Sequence, residues 1–108
     1  MSNPIAVAVS TAYERQFKKL KTDQLKQDAR QCRRDIYECL TLQRDSGDQE
    51  RIKEIIRDRR LKPIQRFRKK VPKRWEATFA PDGRIVWSYD GQTFALIYIG
   101  NHSVLDKD

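Results

Sequence analysis

The chain holds one histidine, His102, and the residues that strand pairing brings to it define the chemistry it could do. From Trp75 onward the sequence divides into WEATF, APDG, RIVWSY, DG, QTFALIYIG and NHS. Asp90-Gly91 lies between two apolar runs. Asp-Gly in that setting predicts a two-residue hairpin turn, because both central residues of a type I′ turn require positive φ. In that register Tyr89 faces Gln92, Arg84 faces Ile97 and Asp82 faces Ile99. His102 then falls just past the strand end, near Asp82 and Arg84. Imidazole titrates near neutrality, with an unperturbed pKa of roughly 6.5, and so suits acid or base work. The guanidinium fork of Arg84 matches a phosphate. In a chain of net charge +8, this convergence predicts a site for phosphate chemistry.

The elements that position these residues are legible from periodicity. Ile5–Val9 reads as a short strand. Thr11 and Glu14 have capping-box spacing, which starts a helix with an apolar stripe of Tyr13, Phe17 and Leu20. Lys18, Lys19 and Lys21 lie off or beside that stripe. A longer helix spans about Thr22 to Gln43, with Leu25, Ala29, Cys32, Ile36, Cys39 and Leu40 on one face and charges opposite. The two helices predict an α-hairpin. A loop at 45–48 leads to a third helical piece, Gln49 to Arg59, with Ile52, Ile55 and Ile56 inward, and Pro63 bars its continuation. In the meander, Trp75, Ala77 and Phe79 share one face and Glu76 and Thr78 the other. Arg84–Tyr89 and Thr93–Ile99 are apolar on both faces, which makes them central, flanked by the N-terminal strand and Trp75–Ala80. The expected fold is α+β: one domain over residues 1–108, with the strand and helical hairpin packed on a mainly antiparallel four-stranded sheet.

Composition narrows the partners. Charged residues make up 35% of the chain, and a basic excess of this size favours a polyanion such as nucleic acid or an acidic protein. The excess is concentrated in Arg57 to Arg74, where ten of eighteen residues are Lys or Arg and only Asp58 is acidic. Ile64, Phe67 and Val71 interrupt the charge, which predicts a segment packed onto the domain. Lys69, Lys70, Lys73 and Arg74, with Lys62 and Arg68 more weakly, are the expected phosphate contacts; such contacts position RNA without reading bases. Cys32 and Cys39 stand two helical turns apart, about 10 Å along the axis. That spacing is too long for a disulfide, and one distant histidine completes no zinc site. They read as core residues of a reduced, cytoplasmic protein. No apolar run has the length of a membrane span, and the opening residues lack the form of a signal peptide.

IAVAVSTAYERQFKKL, KPIQRF, WEATFAPDGRIVWSY and ALIYIGNHSVL, in this order, resemble the RelE/ParE superfamily of bacterial toxins from type II toxin–antitoxin modules. The first matches the family's opening strand and its F-x-x-x-(F/L)-K-K-L helix. The second resembles K-P-L-x-G, and the third the strand–turn–"Y-R-V-I-Y" pair. The last resembles the "I-G-x-H-x-x-(F/Y)" ending. The likeness covers nearly the whole chain.

The resemblance implies an endoribonuclease of the mRNA interferase type that uses no metal or cofactor, cuts mRNA on the ribosome and is held inactive by a cognate antitoxin. Metal-free RNA cleavage uses the 2′-hydroxyl as nucleophile. It needs a base at that oxygen, an acid at the leaving 5′-oxygen and a cation for the extra phosphorane charge. By position His102 is the acid or the base, Arg84 stabilises the transition state, and Asp82 is a partner or proton acceptor of the histidine. Glu76 is a further carboxylate able to act as base. The antitoxin is expected to be acidic and partly disordered. Departures are Leu105 in place of a terminal aromatic, Gly83 where Tyr, His or Trp is common, and Lys62 where one subgroup has glutamate. Rival readings are a ParE-like gyrase inhibitor without catalysis, and a nucleic-acid-binding module with a decayed site.

Overall fold

A computed structural model describes residues 3–107. The first strand, β1 (Ala6–Val9), leads through Ser10 into α1 (Thr11–Lys18). Ser10 is the N-cap: its hydroxyl accepts from the Tyr13 N–H at 2.9 Å. The helix therefore begins where the sequence places it, but the capping side chain is Ser10 and not Thr11. Thr22 caps α2 (Asp23–Arg44), accepting from Leu25 N–H at 3.0 Å. Asp48 caps α3 (Gln49–Arg59), accepting from Glu50 and Arg51 N–H. Each cap satisfies amide donors that the first turn leaves open.

The remaining strands are β2 (Lys62–Pro63), β3 (Arg74–Ala80), β4 (Gly83–Tyr89) and β5 (Thr93–Gly100). They form one five-stranded sheet in the order β1-β5-β4-β3-β2, with β1 parallel to β5 and the other pairs antiparallel. The two apolar-on-both-faces runs are central, as expected, and the short β2 adds a fifth strand to the four predicted.

Two departures concern register and helix packing. The Asp90 carboxylate accepts from the N–H groups of Gln92 and Thr93 at 2.9 and 2.8 Å, and Gly91 takes φ +96°. This widens the turn, so Tyr89 faces Phe94 and not Gln92. A bulge opposite Val86/Trp87 adds one more residue to β5, and Arg84 consequently faces Gly100 where the tight turn predicted Ile97. Among the helices, α1 rests on β5, α2 on β3, and α3 against α2. The intimate helix pair is therefore α2 with α3, joined by Arg51 to Glu38 at 2.9 Å and Arg59 to Asp35 at 2.8 Å.

Both faces of the sheet are covered. On one, Ala29, Cys32 and Ile36 of α2 meet Ala77, Ile85, Phe94, Leu96 and Ile99, all essentially without solvent contact. On the other, Val86 is covered by Ile64, by Phe67 from a 3-10 turn (Gln65–Phe67) and by Val104 from a C-terminal 3-10 turn (His102–Asp106). Ile64 and Phe67 thus anchor the basic segment as expected. Val71 does not: it is 94% exposed.

Candidate active site

The site forms where the β3–β4 turn meets the C-terminal 3-10 turn. Gly100 ends β5 directly across from Arg84. Asn101 then caps the short turn, its side chain accepting from Ser103 N–H at 2.9 Å, and presents His102 at the first position. His102 Nδ1 lies 2.7 Å from Asp82 Oδ1, and the same oxygen accepts from the His102 backbone N–H at 3.4 Å. With Nδ1 protonated and donating to Asp82, Nε2 is the nitrogen left for proton transfer. The hydrogen bond from His102 holds the Asp82 carboxyl below its usual range, and the nearby Arg84 charge acts in the same direction. Both side chains are largely exposed, His102 at 72% and Asp82 at 65%, so a substrate could reach the pair without a conformational opening.

Arg84 is not pointed freely at solvent. Its Nη1 donates to the carbonyls of Gly83, Pro81 and Ala80 at 3.0, 3.3 and 3.4 Å. These bonds span the turn that carries Asp82, so one guanidinium both shapes the turn and places positive charge beside the dyad. Gly83 is crowded there by a side chain. A Cβ at that position would lie 2.6 Å from the Phe79 ring. Phe79 is the extra residue where the β3–β4 register shifts between Thr78 and Ala80, and its ring occupies the space a side chain at 83 would need. Phe79 thus stands where an aromatic side chain at position 83 would lie. Leu105 packs with the Val86 cluster, which makes it a core contact and not a base-stacking surface.

The predicted phosphate contacts divide into two groups. Three are already engaged within the fold. Lys62 faces Glu76 across the β2–β3 pair, Nζ 3.9 Å from the carboxylate. Arg74 donates to the Lys107 carbonyl at 3.3 Å and lies over the rings of Phe67 and Tyr98 at 5.2 and 6.0 Å. Lys70 also has a partner. Arg68, Lys69 and Lys73 carry no ion pair among the described residues. Arg66, which the sequence reading passed over, meets Asp106 at 3.3 Å and ties the basic segment to the turn that bears His102.

Several groups emerge only from the structure. Tyr98 lies in one cross-strand row with Val86 and Glu76, on the sheet face that also carries Arg84. It is an aromatic surface beside a cation, a role the sequence left unassigned. Next to Asp82 a cleft of about 500 Å³ opens between the α1–α2 joint and the strand ends, with Lys19 and Lys21 on its wall and Leu20, Phe79 and Ile99 within it. The signal in the sequence was the lysine cluster off the α1 stripe, but its nearness to Asp82 depends on α1 lying along β5. No group of three His, Cys, Asp or Glu side chains among the described residues is placed to hold a metal ion. No described helix is long and apolar enough to cross a membrane.

No protein-family model matches this sequence, and no curated protein matches it. Among solved structures, the chain is similar to a copper-bound mutant toxin from Helicobacter pylori, with a TM-score of 0.55 and 16% identity over 94% of this chain and 98% of that one. The likeness spans both chains almost completely and shows that this small α+β architecture is shared with a bacterial toxin.

Proposed function

We propose that this protein is the toxin of a toxin–antitoxin pair, working in the cytoplasm as an endoribonuclease on mRNA, on the ribosome. The observation that carries the reading is the His102–Asp82 bond of 2.7 Å with Arg84 beside it in a chain of charge +8. The architecture shared with a toxin and the resemblance of the motifs support it. The side chains present supply the three chemical requirements, and the reaction as read calls for no metal or cofactor.

The 2′-oxygen forms a bond to the adjacent phosphorus while the bond from phosphorus to the 5′-oxygen breaks. The products are a 2′,3′-cyclic phosphate and a 5′-hydroxyl. His102 protonates the leaving 5′-oxygen through Nε2, with Asp82 holding the ring by Nδ1. Glu76, on the face of Arg84 and only 12% exposed, accepts the 2′-hydroxyl proton. Arg84 stabilises the phosphorane charge. Arg68, Lys69 and Lys73 hold flanking phosphates, and Tyr98 offers a ring for a base.

The test is induced expression of wild type, His102→Ala and Arg84→Ala in a bacterial host, with growth and mRNA 5′ ends followed together. Growth arrest with new ends, both lost in the variants, is the expected result. Arrest without new ends, unchanged in the variants, would replace this reading by gyrase inhibition. A binding-only module is favoured by one observation, the engagement of Arg84 by its own turn carbonyls. That module would bind RNA in a salt-sensitive way and leave it intact.

A further inference from the structure

β1 stops short of the site that β5 leads into. Its last pair with β5 is Val9 with Leu96, and the Ser10 N–H closes that ladder on the Leu96 carbonyl at 3.0 Å. β5 runs on to Gly100, and among the described residues no strand pairs with this last stretch on the β1 side. The bulge opposite Val86/Trp87 also changes which groups face that side. Before it the Gln92 and Leu96 carbonyls do; after it the Ile97 carbonyl and the Ile99 N–H do. Backbone groups at this depth need partners.

Side chains of α1 take the place of the missing strand. The Ser10 hydroxyl donates to the Ile97 carbonyl at 2.6 Å, and Gln16 Oε1 accepts from the Ile99 N–H at 2.9 Å. Gln16 stands three residues after Tyr13 and four before Leu20, so it is the polar member of the packed stripe of α1. It is half-buried. A backbone N–H can only donate, so the amide oxygen is the atom that faces Ile99.

Ile99 is three residues from His102, and the chain between them has little slack. Ile99 itself is buried. Gly100 lies so close to Val104 that a Cβ on it would meet that side chain at 2.9 Å, and Asn101 closes the turn on Ser103. The two halves of the dyad therefore have separate tethers. Asp82 is held from the β4 side, by the Arg84 bonds across its turn. His102 is held from the β5 side, by Gln16 on Ile99. Both dyad side chains are largely exposed, so water competes for each, and their bond depends on where the backbone presents them.

We propose that Gln16 is a positioning residue, whose side-chain oxygen fixes the end of β5 so that His102 meets Asp82 through Nδ1. Its consequence for RNA cleavage rests on the nuclease reading; its hold on the dyad does not. Gln16→Met keeps the length of the side chain and removes the acceptor, and Gln16→Glu restores an oxygen at the same reach.

The experiment uses the full chain, labelled with nitrogen-15 in its single imidazole, with amide hydrogen exchange and RNA-cleavage kinetics followed in parallel. In wild type the neutral ring should carry its proton on Nδ1. In Gln16→Met the Ile99 amide should lose protection and the ring should move toward the Nε2-protonated form. The kcat should fall about tenfold or more, as misplacement of a reacting group predicts, with KM unchanged. Gln16→Glu should recover the Ile99 protection and the tautomer. Asp48→Ala removes the cap of α3, a helix packed against α2. It should lower the melting temperature and leave tautomer and kcat as in wild type. An unchanged tautomer in Gln16→Met, a loss confined to KM, no recovery in Gln16→Glu, or the same shift in Asp48→Ala would overturn the proposal. If wild type cuts no RNA, the nuclease reading fails and the tautomer still decides the role of Gln16. If wild type cuts RNA and the tautomer ignores Gln16→Met, this inference fails alone.

Discussion

His102 reaches back across twenty residues to Asp82, with Nδ1 2.7 Å from Oδ1. Asp82 is held below the ordinary carboxylate range by that bond. The native state therefore binds the Asp82 proton more weakly than the unfolded chain does. The contribution is present above the unfolded value, about pH 4, and is lost as pH falls through the lowered native value. A carbon-detected NMR titration of Asp82 should show a depressed midpoint in wild type and a return toward the ordinary value in His102→Ala.

Removal of the imidazole should also lower RNA cleavage by about 10²–10⁴-fold, the usual worth of one positioned proton-transfer group. Asp82→Asn should lower it less, since it loosens the ring and leaves Nε2 in place. Single-turnover cleavage of a short RNA, with circular dichroism to confirm folding, checks both. Equal activity of His102→Ala and wild type would remove His102 from the chemistry.

A side chain at Gly83 should be destabilising. A Cβ there meets the Phe79 ring at 2.6 Å, and overpacking of this kind costs about 1–3 kcal/mol. Urea denaturation of Gly83→Ala should show that loss. Phe79→Ala combined with Gly83→Ala should be less destabilised than the two single losses summed, because the clash vanishes with the ring.

Ser10 has two jobs. Its hydroxyl accepts from Tyr13 N–H and donates to the Ile97 carbonyl at 2.6 Å, at the bulge of β5. Loss of an N-cap alone costs about 0.5–2 kcal/mol. Ser10→Ala should fall at or above the top of that range, and Thr11→Ala, which removes no cap, should be nearly neutral. Chemical denaturation of the two variants side by side decides between them.

Cys32 has no solvent contact, and burial pushes its thiol up to about 12; burial also raises Cys39. Neither should form appreciable thiolate at neutral pH in the folded state. Labelling by a thiol reagent should be slow in native buffer, and its rate should rise with urea in step with unfolding. Fast native labelling of Cys32 would contradict the packing of α2 on the sheet.

Local pattern determined much of this protein. The 3.6-residue stripe of Ala29, Cys32, Ile36 and Leu40 specified the face of α2 that is buried, and the loop at 45–48 set where α3 begins. Alternation in Trp75–Ala80 and unbroken apolarity in β4 and β5 specified edge-side and central strands. All of these depend on residues close in the chain, where spacing alone fixes which side chains share a face. The nearness of His102, Asp82 and Arg84 was also legible, because a hairpin is a local structure.

Tertiary structure decided register and partners. The bulge at Ile97 is met by a hydroxyl from Ser10 eighty-seven residues away, and it adds to a wider turn that the Asp90 side chain sets locally by bonding forward to Gln92 and Thr93. Together they move Arg84 from Ile97 to Gly100. The division of the basic segment into engaged and free cations was likewise invisible, since Arg66 is matched by Asp106, forty residues on. Such pairings form between distant segments only after the sheet has closed, and no spacing within either segment encodes them.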